Sequence, residues 1–106
     1  MSLETTLDSD GATARITLDG DLDASTAPIF FARISEAARA RPDRLVLQLD
    51  RLRYMSSAGL RGLAFARQKM GDEVEIVVVG ATPVVLETLR LTGFDQSVTM
   101  TERYPG

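Results

Sequence analysis

The run Leu45-Val46-Leu47-Gln48-Leu49 has one polar side chain in five positions. A nearly unbroken apolar run of this kind is typical of a strand covered on both faces, the position of an interior strand in a parallel sheet. Parallel neighbours cannot be joined by a tight turn and need crossover connections, usually helices. This one strand therefore asks for helices before and after it in the chain.

The flanking sequence supplies them. Residues 2–7 set Leu3, Thr5 and Leu7 on one side of a short strand. Asp10-Gly11 signals a hairpin turn whose central positions favour positive φ. Ala14, Ile16 and Leu18 then alternate with Arg15, Thr17 and Asp19 as a half-buried strand, and Gly20-Asp21-Leu22-Asp23 reads as an acidic loop. A helix is expected to begin near Ser25 or Thr26, either of which can cap it, with Pro28 in its first turn. Ala27, Phe31, Ile34 and Ala38 recur at helical spacing, with Phe30 beside that stripe and partly exposed, and Arg41-Pro42 ends the pattern.

Beyond the 45–49 strand, Leu60, Leu63, Ala64 and Met70 mark one helical face up to Gly71. Residues 74–79 form a strand rich in β-branched side chains and interrupted only by Glu75. Thr82-Pro83 opens a helix carrying Val85, Leu86 and Leu89, with Gly93 at its end. A last short strand includes Val98 and Met100, and the tail over 101–106 is expected to fray. The order β-β-α-β-α-β-α-β predicts an α/β fold with a small mixed sheet: a hairpin, then parallel strands connected by helices through right-handed crossovers. A length of 106 residues fits a single domain over 1–106, with its core at about 3–98.

Composition narrows the function. The net charge is −3 and no basic run is present, so a sequence-independent grip on phosphate backbones is not expected, and no direct nucleic-acid partner is assigned. Arg39, Arg41 and Arg44 lie close together, but Asp43 sits among them and they read as a solvated helix end. The sequence has neither cysteine nor histidine. Disulfides, thiolate chemistry and the usual Ser-His and Cys-His nucleophile pairs are therefore not available, and a metal site would have only carboxylates to use. No apolar stretch approaches the roughly 20 residues of a membrane span, and no basic-then-apolar signal segment is seen at the start. These features lead to the expectation of a cytoplasmic protein that does not insert into membranes and is not an enzyme.

The segment YMSSAGL at 54–60 places two hydroxyls between the apolar strand and a helix. Ser56 or Ser57 could cap that helix, worth about 1 kcal/mol. A nucleophile elbow would need glycine two residues before the serine, where Met55 stands, and a histidine, which is absent. The third reading is an acceptor for a modification. A phosphate on Ser57 would lie at a helix N-terminus, where free amides and the macrodipole favour an anion. Arg61, four residues on, shares that helical face, and Ala58 and Gly59 leave little bulk around the hydroxyl. On balance Ser56 suits the cap and Ser57 the phosphate.

Three segments in order carry a resemblance. GDLDAST at 20–26, LVLQLDRLRYMSSAGLRGL at 45–63 and LRLTGFDQ at 89–96 resemble the STAS family, named for sulfate transporters and anti-sigma factor antagonists. The likeness runs from about Leu3 to Val98. It implies a STAS-like fold with a connecting loop between the central strand and the acceptor serine. It also implies an anti-sigma factor antagonist that binds a kinase-type anti-sigma factor when unphosphorylated and so releases the sigma factor. The kinase would use ATP to phosphorylate Ser57, and a separate serine phosphatase would reset it. Ser56 stands where many members have aspartate, and Ala58 where some have a second serine. Asp21, Asp23, Ser25 and Thr26 match the loop that lies near the phosphoacceptor, with Asp23 read as either a partner contact or a solvated loop residue and Thr26 as a cap. Phe30 could dock a partner but reads more readily as core. Alternative readings are an accessory subunit of an ABC-type transporter bound to its ATPase, with a structural serine, and a scaffold unit of a stress-signalling assembly. No phosphate-binding Gly-x-x-x-x-Gly-Lys loop is present and no cofactor is assigned.

Overall fold

The computed structural model describes residues 2–103. Strand β1 (Leu3–Asp10) pairs antiparallel with β2 (Thr13–Leu22), from Leu3 opposite Gly20 to Asp10 opposite Thr13. The turn between them sits on Gly11 and Ala12, one residue later than Asp10-Gly11 suggests. Of the two only Gly11 has positive φ, at 60°, as a turn with glycine at its first central position requires. There follow α1 (Ala27–Arg39), β3 (Arg44–Met55), α2 (Ser57–Met70), β4 (Glu75–Val79), α3 (Pro83–Thr92), a short 3-10 turn over Phe94–Gln96, and β5 (Thr99–Thr101). The fold is thus a small α/β domain with a mixed sheet of five strands in the order β1-β2-β3-β4-β5, parallel from β2 onward.

Strand order equal to chain order has a consequence for layering. Successive right-handed crossovers that always step the same way carry every helix to the same face of the sheet. The buried side chains of all three helices do join one cluster with Ile16, Leu18, Leu45, Leu47, Leu49, Ile76 and Val78. Val46, Val77 and Val79 form a separate cluster with no helical member. The expectation that β3 is covered on both faces is therefore met by helices on one side only. On the other side Val46 is buried in a valine patch, flanked in register by Arg15 on β2, while Thr99 and Thr101 on β5 flank Val77 and Val79.

Four expectations change. The segment Gly20-Asp21-Leu22 belongs to β2 rather than to a loop, because Gly20, at φ 124°, lets the strand shift register against β3 and continue. No loop separates β3 from the serines either: the strand runs to Met55, paired with Leu22. Helix α1 is rotated from the expected stripe, so Phe30 is fully buried with Ile34 and Ala37, while Phe31 and Ala38 are half-buried. The frayed tail is also shortened, since Thr101 lies in β5; residues 104–106 fall outside the described part.

Helix α2 turns a face of small residues inward. Ala58, Gly59, Gly62, Leu63 and Ala66 are buried, whereas Ala64 is exposed. A Cβ at Gly62 would lie 2.7 and 2.8 Å from the Phe30 ring and 3.1 Å from Phe31, and one at Gly59 would lie 2.7 Å from Met55 Cγ and 2.9 Å from Leu22. Those separations are inside van der Waals contact, so hydrogen is the side chain that the approach of α1 and α2 demands at Gly62. Helix propensity alone would make Gly62→Ala stabilising by about 1 kcal/mol. Overpacking against a fully buried ring costs about 1–3 kcal/mol, and the expected net effect is destabilisation, read as a lower urea midpoint. A raised midpoint would show that the helices separate without cost.

Candidate functional site

The two serines have different surroundings. Ser56 is the N-cap of α2, with extended backbone at φ −89° and ψ 179°, and its Oγ accepts the Ala58 amide at 3.2 Å. Its own amide donates to the Leu22 carbonyl at 2.9 Å, and its carbonyl accepts the Leu60 amide at 3.2 Å. Ser56 is thus committed to holding the start of α2 against the end of β2. Ser57 is the first residue of the helix and exposed, and its hydroxyl makes no hydrogen bond to any described residue. A hydroxyl so placed is open to another protein's active site, at the end of a helix that favours negative charge.

The segment after β2 folds around Asp23. Its Oδ1 accepts the Ser25 hydroxyl at 2.6 Å, the Ser25 amide at 2.9 Å and the Thr26 amide at 3.1 Å. The Asp23 carbonyl accepts the Ala27 amide at 2.8 Å. Asp23, not Thr26, ties up the free amides at the start of α1. Thr26 makes no side-chain cap and is buried. Its hydroxyl instead donates to the Asp21 carbonyl at 2.7 Å and accepts the Asp23 amide at 3.0 Å. Thr82, the other expected cap, likewise turns its hydroxyl away, towards the Leu52 carbonyl at 3.3 Å. The Ser25 hydroxyl above all holds the Asp23 carboxyl below its ordinary value; burial opposes it, and the Thr26 and Ser25 amides add to the lowering.

The structure brings the ends of β2 and β3 together, and with them most of the expected site. Leu22 pairs with Met55, so the Asp23–Thr26 turn and the Ser56–Gly59 turn leave the sheet side by side. Between them lies an open groove of about 380 Å³, lined by Ala24, Ala27, Pro28, Phe31, Ala58 and Arg61. Arg61 is exposed and bonded to no described residue. Asp21 faces away into a different contact: its Oδ2 lies 3.2 Å from Arg53 on β3. That partner, and the part of Phe31 in the groove, escaped the sequence reading. Arg53 could be matched to Asp21 only through the β2–β3 register, which shifts at Thr17/Asp19 and again at Gly20/Asp21. Phe31 was legible as apolar, but the rotation of α1 that turns it to the groove was not. No group of three metal-ligating side chains occurs among the described residues, and none of their helices is long and apolar enough to cross a membrane.

Comparison with known proteins agrees with the fold. A family model described as "Mlab, STAS domain" matches residues 5–102. The anti-sigma-F factor antagonist RsfB of Mycobacterium tuberculosis is 28% identical over 96 residues, spanning 91% of this chain and 79% of RsfB. The crystal structure of an anti-sigma factor antagonist from Mycobacterium paratuberculosis superposes with a TM-score of 0.88 at 26% identity, covering 96% of this chain and 87% of that one. The Bacillus cell fate determinant SpoIIAA in its phosphorylated form shares the fold, with a TM-score of 0.72 at 18% identity over 92% of this chain and 90% of its own.

The division of labour between the serines is testable by stability. Ser56→Ala is expected to cost about 1 kcal/mol, whereas Ser57→Ala is expected to stay within about 0.5 kcal/mol of the parent, both read by urea unfolding; the reverse ranking would exchange their roles. Asp23 gives a pH signature. A carboxyl held low when folded contributes stability above the ordinary carboxylate pKa of about 4, and that stability is lost as pH falls through the lower folded value. Glu75, held low by the Arg44 guanidinium and then by the Thr99 hydroxyl, adds the same sign. The comparison is therefore between parent and Asp23→Asn, whose stability gap is expected to shrink between about pH 7 and about pH 3. A gap that stays constant would remove the charged cap.

Proposed function

We propose a role for this chain from its kinship: it belongs to the STAS domain family, and we read it as an anti-sigma factor antagonist, a binding switch with no catalysis of its own. In its unphosphorylated form it binds a kinase-type anti-sigma factor and so frees the sigma factor. The kinase transfers the γ-phosphoryl group of ATP to Ser57 Oγ, releasing ADP and the hydroxyl proton. A serine phosphatase later returns the hydroxyl by hydrolysis. Such an ATP-dependent circuit works in the cytoplasm.

The observation that carries the reading is the contrast at the start of α2, where Ser56 is spent on the cap and Ser57 is exposed with its hydroxyl unengaged. The description of RsfB as an anti-sigma-F factor antagonist supports the class of partner. A phosphate on Ser57 brings about −1.5 to −2 charges. It would meet the positive end of the α2 macrodipole and the guanidinium of Arg61, one turn further along, so the modified state is stabilised within the protein itself. A partner seated over Ala58 and Gly59 would at the same time face added charge and bulk.

The test is mass spectrometry of the intact protein and its peptides after incubation with ATP and each kinase-type anti-sigma factor of the source organism. One phosphate on Ser57, absent from Ser57→Ala, is the expected outcome. Ser57→Ala should bind that anti-sigma factor constitutively and Ser57→Asp should bind it more weakly. Equal binding by Ser57→Asp and the parent would sink the electrostatic switch. Absence of phosphorylation by every such kinase, together with recovery of a transport ATPase in pull-downs, would move the assignment to the transporter-accessory reading.

A further inference from the structure

The seam between α1 and α2 continues beyond the groove beside Ser57. A second open hollow, of about 340 Å³, lies where both helices end, with Arg41, Lys69 and Met70 in its lining. Between the two hollows Phe31 and Phe65 stack across the seam, with centroids 4.9 Å apart and 14° between their planes. Lys69 Nζ sits 5.7 Å from the Phe65 centroid. Apolar surface thus runs from the start of α2 to the Phe31–Phe65 stack and gives way to a more polar hollow at the end of the helix, which has 14 residues and is so about 21 Å long.

The charge along this track is one-sided. Neither hollow has an aspartate or glutamate in its lining. The ion pairs among the described residues use Arg33, Arg44, Arg51 and Arg53, and leave Arg41, Arg61 and Lys69 without a carboxylate. On a chain of net charge −3, two hollows bordered by three cations that face no carboxylate, and by no acid, are a local inversion. An apolar hollow beside Ser57, the half-buried Phe31 and Phe65 rings behind it and a more polar, cation-bearing hollow at the far end suit a helix laid in a groove by its apolar face.

We infer that the α1–α2 seam docks an acidic amphipathic helix of the anti-sigma factor, similar in length to α2. Its apolar side chains enter the hollow beside Ser57 and cover the Phe31–Phe65 stack, and its carboxylates meet Arg61, Lys69 and Arg41. An anionic membrane is the less fitting occupant, because the net negative charge of the whole chain opposes it, whereas a single helix meets only the seam. The identity of the partner rests on the function proposed above; the surface and its chemistry do not. The docking mode also gives the switch a route. A phosphate on Ser57 would draw Arg61 to itself and place negative charge at the entrance of a track built for carboxylates.

Lys69 is the sole lysine of the sequence, which makes the test selective. A carbodiimide activates a carboxyl group, and an amine then displaces it as a urea to form an amide with no inserted atoms. Applied to the complex with the anti-sigma factor, it should join Lys69 to an aspartate or glutamate in one helical segment of the partner. The product should vanish in Lys69→Arg. Arg61→Glu and Lys69→Glu are each expected to weaken binding by about tenfold or more, and Arg90→Glu on α3 by less than about twofold. Circular dichroism melts would confirm that the variants are folded. Intact binding by Arg61→Glu and Lys69→Glu, with no Lys69 cross-link, would overturn the seam while leaving the proposed function standing. Failure of the parent to bind any kinase-type anti-sigma factor would overturn both. Sedimentation of the parent, but not of Arg61→Glu, with phosphatidylserine vesicles would overturn the helix as occupant.

Discussion

The close approach of α2 to its neighbours governs this structure. All three helices share one face of the sheet, and two of them must fit beside each other over β2 and β3. The fit exists because α2 presents Ala58, Gly59, Gly62 and Ala66 inward, letting Phe30 and Leu22 fill the space that larger side chains would occupy. Without that small face α2 would stand away from the sheet, and the hydrogen bond from the Ser56 amide to the Leu22 carbonyl could not form. The geometry of the serine region is therefore a product of packing: its backbone is held where it is by the glycines that follow it.

That packing also separates two chemically identical side chains. Ser56 has an extended backbone and a position just outside the helix, which turns its oxygen back to the amides. Ser57 falls on the solvent face of the first helical turn, opposite the buried Ala58 and Gly59, and so directs its side chain outward. One hydroxyl serves stability and its neighbour is left exposed, with the polypeptide geometry alone making the distinction. The Asp23 turn is the counterpart at the start of α1, where a carboxylate in the same kind of position takes up amides that would otherwise face the site uncompensated.

Much of this was legible in the sequence because the periods were clean. The alternation of Ala14, Ile16 and Leu18, the apolar run at 45–49 and the β-branched run at 74–79 each gave a strand, and the placement of Ser56 as a cap followed from its position before a helical pattern. What could not be read was tertiary. Phe30 and Phe31 are adjacent aromatics, both against Gly62 on another helix, and only the packing of that helix shows which of them is fully buried. The stretches 20–22 and 52–55 look like loops because they lack a clear apolar pattern, yet they pair with each other as the ends of β2 and β3. Thr26 and Thr82 had the composition of caps, and both hydroxyls found carbonyls of neighbouring segments instead.

The unequal lengths of the strand pairings bear on motion. β2 and β3 stay paired from Thr13 and Arg44 to Leu22 and Met55, whereas β5 is held to β4 only from Val77 opposite Thr99 to Val79 opposite Thr101. Opening of the molecule is then graded across the sheet, easiest at the β5 edge and hardest in the long central ribbon, since local opening follows the number of buried contacts that must be broken. The serine turn is anchored to the slow end of that gradient. Amide protons around Leu22 and Met55 should be among the last to exchange with solvent, so the kinase and phosphatase of the proposed circuit would meet their substrate already rigid, with little of the encounter spent on ordering it.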